Sequence, residues 1–215
     1  MNKLLLLALA LLTLGSTPLA QAQNAQAGEK KAAMCIGCHG IPDYKASFPE
    51  IYRVPMIAGQ GDKYIISALT QYKKGDRKHP TMRAIATSLS DQDMADLAAF
   101  YSTEAKAEAV PAAPTGAAPA DVAALLTKGN CASCHGANFS APIDPSYPKL
   151  AGQHPDYLFA ALKAYQTDKN PQVGRNNAIM MGMARPFTLA EAKQLAAYFA
   201  SLPGELKTVP QSRFR

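Results

Sequence analysis

Cys35-Ile36-Gly37-Cys38-His39-Gly40 returns later in the chain as Cys131-Ala132-Ser133-Cys134-His135-Gly136. Thiols at i and i+3 lie about one helical turn apart, so both can add to the vinyl groups of one porphyrin while the adjoining imidazole faces the iron. The pattern C-x-x-C-H is the haem c attachment signature. Its double occurrence predicts two covalently bound haem c groups, one held by Cys35 and Cys38 and the other by Cys131 and Cys134, with His39 and His135 as axial ligands. Rival chemistries account for less. A thioredoxin-like dithiol needs a βαβ context and gives no role to a histidine after the second cysteine. A zinc site needs ligands beyond each thiolate pair, and all four cysteines already lie inside the two motifs. Merging them into one all-thiolate site would leave both histidines idle.

An iron bound by one histidine needs a sixth ligand or an open position. Met82, in Lys78-His79-Pro80-Thr81-Met82-Arg83, precedes the last helix of the first half. Leu97-Ala98-Ala99-Phe100-Tyr101 matches Leu195-Ala196-Ala197-Tyr198-Phe199, and carrying that alignment back without gaps sets Met180 opposite Met82 and Met183 opposite Ile85. Met82 and Met180 are the expected pair, with Met183 and then Met181 in reserve because both sit within a turn of Met180. Met56 and Met94 read as core packing, since their repeat partners are Lys149 and Ala192. A thioether is soft and neutral, so His/Met ligation favours ferrous iron, raises its potential and closes it to small ligands. Iron of that kind carries electrons and transforms no substrate. His79 and His154 have no histidine opposite them in the repeat and read as solvated loop residues, with a bis-histidine site through His79 as the exception.

Helices must deliver these groups. Val54-Pro55-Met56-Ile57-Ala58-Gly59-Gln60 followed by Tyr64, Ala68-Leu69 and Tyr72 is echoed at constant offset by Tyr147-Pro148-Lys149-Leu150-Ala151-Gly152-Gln153, Tyr157, Ala161-Leu162 and Tyr165. A duplicated domain follows. One helix from about Gln26 brings up Cys35, and a shorter one from about Asp121 brings up Cys131. Helical spacing predicts helices over 61–74 and 155–167, and capping boxes open the terminal helices at Ser90 and Thr188. No alternating pattern competes, so the expected class is all-α, with loops wrapped round each ring. The expected divisions are a signal peptide over 1–22, a first domain over 23–103, an Ala/Pro-rich extended linker over 104–120 and a second domain over 121–215.

Met1-Asn2-Lys3, the apolar run Leu4 to Leu14 and the small-residue site Ala20-Gln21-Ala22 read as a secretory signal. No later segment approaches the roughly 18 apolar residues of a membrane span. Export would ordinarily pair four cysteines as disulfides, but thioether bonds use every thiol. The chain carries a formal charge of +6; losing Lys3 with the signal leaves about +5, and about four carboxylates from two haems bring the holoprotein to about +1. Export and the scatter of Lys and Arg exclude nucleic acid as a partner. The cluster Lys73 to Lys78 reads as a solvated loop, with docking of an acidic redox partner as the alternative.

The two C-x-x-C-H-G motifs, the Pro-x-(Ile/Leu)-Ala-Gly-Gln-x-x-x-Tyr blocks, and Met82 and Met180 with their downstream Leu-Ala-Ala helices resemble the dihaem cytochromes c4, which are tandem class I cytochromes c. The resemblance covers nearly the whole mature chain. It implies a periplasmic electron shuttle, not an enzyme, between a quinol-oxidising bc-type complex and a haem-copper terminal oxidase. It also implies His39/Met82 and His135/Met180 as axial pairs, and lobes packed about a pseudo-twofold axis with the propionates near it. A monomer is expected, with peripheral membrane association allowed. Gln60, Gln153, Tyr64, Tyr157 and the paired Arg and Lys residues are candidates to hold propionates or the interface. The chain departs from the family in a longer Ile41 to Arg53 segment after the first motif and in the crowded Met181-Gly182-Met183. The alternatives are the haem subunit of a periplasmic dehydrogenase or a dihaem peroxidase-like enzyme. A thiosulfate-type dehydrogenase would use a cysteine ligand, and there is no fifth cysteine.

Overall fold

Two lobes, each a helical bundle with its own core, are tied by short contacts that cross between them. The computed structural model describes residues 22–105, 109–114 and 116–210. The expected signal peptide lies outside the described residues except for Ala22.

In the first lobe the expected single helix before the motif is two: α1 (Ala25–Lys31) and α2 (Ala33–His39). The break comes where the Ala32 N–H reaches back only to the Glu29 carbonyl, tightening one turn and turning the motif helix onto the core. Asn24 caps α1 by accepting from Ala27 N. After the motif, β1 (Lys45–Ala46) and β2 (Tyr52–Arg53) form a small antiparallel hairpin that the helical pattern gave no sign of. Then come α3 (Asp62–Lys74), β3 (Arg77–Lys78), α4 (Pro80–Thr87) and α5 (Asp91–Glu104). The second lobe repeats the order with α6 (Ala120–Gly129), α7 (Ala132–His135), α8 (Pro155–Gln166), β4 (Gly174–Arg175), α9 (Ala178–Ala184) and α10 (Leu189–Ser201). Both capping boxes are formed, Ser90 with Asp93 and Thr188 with Glu191.

Three repeat-equivalent pairs, Ile65 with Leu158, Leu97 with Leu195 and Tyr101 with Phe199, recur in the two cores. Ile36, Ile65, Met94, Leu97 and Tyr101 close the first, and Leu125, Leu158, Leu195 and Phe199 the second. Met94 is 1 % exposed, which bears out its reading as core packing.

Equivalent residues also meet at the interface. β3 and β4 pair antiparallel with Arg77 opposite Arg175, so the strand from one lobe hydrogen-bonds to its own repeat in the other. Beside them lies a reciprocal clasp. Gln60 donates to the Lys149 carbonyl at 3.1 Å and accepts from Lys149 N at 2.9 Å, while Gln153 donates to the Met56 carbonyl at 2.8 Å and accepts from Met56 N at 3.0 Å. Each carboxamide thus satisfies both backbone groups of the residue equivalent to the one its twin holds. Each lobe also reaches over the other. The chain after α10 bonds Lys207 N to the Ala58 carbonyl and packs Val209 on the first core, and Lys149 Nζ donates to the Gly59 carbonyl at 2.9 Å. Pro111 of the connecting segment accepts from Asn138.

Gly59 and Gly152 precede the clasp glutamines at φ 82° and 76°, the left-handed region that disfavours a side chain. A Cβ at Gly59 would also lie 2.5 Å from the Glu205 carbonyl oxygen, whereas at Gly152 the nearest atom is 3.4 Å away. Gly59→Ala is therefore expected to destabilise by about 2–4 kcal/mol and Gly152→Ala by about 1–2 kcal/mol, read as a larger fall in thermal midpoint for the first. The backbone N–H of Thr188, and then Lys128, hold the Glu191 carboxyl down at about 2. Its contribution is present above the unfolded value and lost as pH falls through 2. Glu191→Gln should therefore flatten the acid limb of a stability-against-pH curve between about pH 4.5 and pH 2.

Candidate functional site

The two motif histidines end α2 and α7, and one device orients both. His39 Nδ1 lies 2.8 Å from the Pro55 carbonyl oxygen and His135 Nδ1 lies 2.9 Å from that of Pro148. A carbonyl only accepts, so Nδ1 carries the proton in each ring and Nε2 keeps its lone pair for a metal. Burial lowers both imidazoles below the ordinary histidine value and keeps them neutral near pH 7.

Both rings line one apolar cavity of about 480 Å³ that runs through the two lobes. From the first lobe Cys35, Cys38 and Met82 join His39 there, with Ile57, Ile65 and Leu69 on the wall. From the second, Met180 joins His135, with Leu150, Leu158 and Leu162. Cys131 and Cys134 lie outside this lining, and Cys131 packs against the second core. All four thiols are free of disulfides. Met181 and Met183 are not among the lining residues, and Met183 is 45 % exposed, so of the three crowded methionines Met180 alone borders the cavity. Met56 borders it too and is half-buried, a wall residue where the repeat suggested core packing.

The methionines are carried on short helices, not loops. Met82 is the third residue of α4 and Met180 the third of α9, and each backbone N–H is capped: Met82 N by His79 Nδ1 at 3.3 Å, Met180 N by Asn177 Oδ1 at 3.0 Å. His79 is thus a half-buried helix cap and not the solvated loop residue expected. Asn177, which sequence reasoning passed over, was findable as a cap-type residue just before an apolar run, at the repeat position of His79. His154 opens α8 and does not border the cavity.

Between the lobes the cavity wall is cationic. Arg77 is 5 % exposed and donates to Tyr64 Oη at 3.1 Å and Tyr157 Oη at 2.5 Å, and Arg175 donates to the same Tyr157 oxygen at 3.2 Å. Among the described residues neither guanidinium has a carboxylate partner, and Arg77 Nε is buried without a hydrogen bond. Burial would raise the Tyr157 phenol, yet the positive charge of Arg77 and Arg175 outweighs it and holds the phenol below its ordinary value. Buried charge of that kind calls for an anion. Propionates on a ring held at His39 or at His135 would supply one, so the residues that line the cavity fit a haem in each lobe. The basic cluster expected as a loop is partly consumed here, because Arg77 is buried, Lys73 bonds the Leu89 carbonyl and Lys78 bonds that of Asn170. Gln60 and Gln153, candidates for propionates or the interface, hold the interface.

The segment 41–53 crosses to the second lobe as a strap. The separation from His39 to its proline carbonyl is 16 residues against 13 for His135, and the longer segment carries the hairpin. Asp156 on α8 accepts from Arg53 N at 3.0 Å and Arg53 Nε at 3.1 Å, and Glu50 pairs with Lys163. Tyr52 lies between Tyr157, ring centroids 6.0 Å apart, and His79 at 6.4 Å.

A family model described as cytochrome c matches residues 25–103 and 119–203. The chain is 32 % identical to a cytochrome c4 of Azotobacter vinelandii, over 94 % of this chain and 100 % of that protein. It is 30 % identical to a thiosulfate dehydrogenase electron acceptor of Thiomonas intermedia, over 91 % of this chain and 90 % of that one. Its structure is similar to that of reduced recombinant cytochrome c4 from Pseudomonas stutzeri, with a TM-score of 0.60 at 25 % identity, covering 85 % of this chain and 100 % of the other.

Asp156→Ala removes the acceptor of both Arg53 groups. It should raise hydrogen exchange at the Arg53 amide about tenfold while lowering global stability by only about 1 kcal/mol, checked by exchange mass spectrometry and chemical denaturation.

Proposed function

The chain belongs to the cytochrome c4 family, and we propose that it works in the periplasm, taking electrons from a quinol-oxidising bc-type complex and delivering them to a haem-copper oxidase. It is a dihaem electron carrier with two covalent haem c groups, not catalytic on its own. Residues 1–22 are read as the export signal, and among the described residues no helix is long and apolar enough to cross a membrane. Lobes over 23–103 and 121–215 joined by a linker over 104–120 complete the reading.

The observation that carries it is that each lobe sets one histidine with a free Nε2 and one helix-borne methionine on the wall of the same cavity. Cys35, Cys38, Cys131 and Cys134 would hold the rings, with His39 and Met82 as one axial pair and His135 and Met180 as the other. Haem c iron supplies one-electron oxidation and reduction, and with both axial positions filled it does so without binding a substrate. The protein's part is to hold each imidazole through its proline carbonyl, exclude water with aliphatic walls, offset the propionates with Arg77 and Arg175, and fix the lobes through the glutamine clasp. Encounters with partners should be small and short-lived, because a tight complex would slow turnover.

A second reading, service as electron acceptor to a periplasmic dehydrogenase, is favoured by the likeness to the Thiomonas protein. Mixing the oxidised protein with a quinol-oxidising complex or with a thiosulfate-oxidising dehydrogenase separates the two, since the true donor reduces it in catalytic turnover. For the ligands, Met82→Ala and Met180→Ala should each remove half of the far-red iron–sulfur band of the oxidised protein and lower one of two potentials, and Met183→Ala should change neither. Peroxide turnover by the wild-type protein would overturn the carrier reading.

A further inference from the structure

The two ligand helices are alike in length and in the place of their methionine, but they are started by different side chains. Asn177 caps α9 through a short carboxamide, a preferred residue for the purpose, at 3.0 Å from Met180 N. His79 caps α4 through a ring nitrogen at 3.3 Å from Met82 N. Histidine is not among the residues favoured at this position. It serves only if the ring is held in one rotamer and one tautomer, Nδ1 bare and Nε2 protonated.

The strap provides that hold. Tyr52 meets the His79 ring edge-on, with centroids 6.4 Å apart, and is backed by Tyr157 of the second lobe at 6.0 Å. Its neighbours Arg53 and Glu50 are fastened to Asp156 and Lys163 on α8. Among the described residues no aromatic pair like that of Tyr52 and His79 stands at the equivalent place behind Asn177, whose cap needs none. His79 also borders the cavity. With Nδ1 accepting from Met82, its Nε2 carries the proton and cannot coordinate a metal, so the cap that places Met82 also keeps the histidine from competing with it.

We propose that His79 is a positioning residue for Met82, locked by Tyr52, so that the strap between the lobes decides how firmly the first lobe presents its sixth ligand. The proposal rests on the reading of Met82 as that ligand.

The test compares the holoproteins of His79→Asn, His79→Ala, Tyr52→Ala and Met82→Ala. It follows exchange at the Met82 amide, the far-red band and the two potentials. His79→Asn should behave as wild type, since it installs the cap of the second lobe. His79→Ala should speed exchange at the Met82 amide about tenfold and lower the first potential by up to about 59 mV, the equivalent of a tenfold loosening of the ferrous-favouring ligand, with the second potential unmoved. Tyr52→Ala should weaken the first lobe's share of the band with His79 still present. Unchanged exchange and unchanged first potential in His79→Ala would overturn the positioning role. A band left whole in Met82→Ala would instead overturn the ligand reading, and the exchange result on His79→Ala would still show whether the cap exists.

Discussion

The arrangement depends on two buried carboxamides. Gln60 and Gln153, 4 % and 3 % exposed, each fill the donor and acceptor of a backbone residue in the opposite lobe. A buried amide hydrogen bond adds only about 1 kcal/mol net, but leaving its partners unpaired costs about 1–3 kcal/mol per group, so the clasp acts chiefly by making any other lobe arrangement expensive. Met56 and Lys149, the residues it grips, directly follow the proline carbonyls that orient His39 and His135. The bonds that align the lobes therefore also steady the imidazoles, and the interface and the orientation of both rings are set by one stretch of chain in each lobe.

The same symmetry creates an electrostatic problem that the protein alone leaves unsolved. Pairing β3 with β4 brings Arg77 opposite Arg175. Tyrosine hydroxyls and rings soften the charge, Arg77 over Tyr72 at 4.7 Å and Arg175 over Tyr165 at 5.3 Å, but they do not neutralise it. Haem propionates would be the natural complement, and four of them would offset most of the formal charge of +6 of the whole chain. With propionates at these arginines, the cofactors would belong to the interface as well as to the redox centre.

Against this near-twofold frame the strap breaks the symmetry. It comes from one lobe only, and its ion pairs are about a third exposed, so their share of stability is small. Its weight lies in where it puts Tyr52, between the phenol that both arginines share and the histidine that starts the Met82 helix.

The C-x-x-C-H pairs were legible because covalent attachment needs local spacing, and local spacing is what a linear sequence displays. The duplication, the capping boxes at Ser90 and Thr188 and the pairing of Met82 with Met180 were legible because a repeat compares one stretch of chain with another at a fixed offset. The burial of Arg77 was not, since it depends on Tyr157 and Arg175 far along the chain, and the break at Ala32, the hairpin of residues 45–53 and the helical setting of the methionines are local features too short to show a period. His79 shows the limit. Its type and its place beside Pro80 fit a solvated loop, and only the fold brings Tyr52 against its ring and Met82 N within reach of its nitrogen, because a cap is made by the atoms that surround a residue and not by the residue alone.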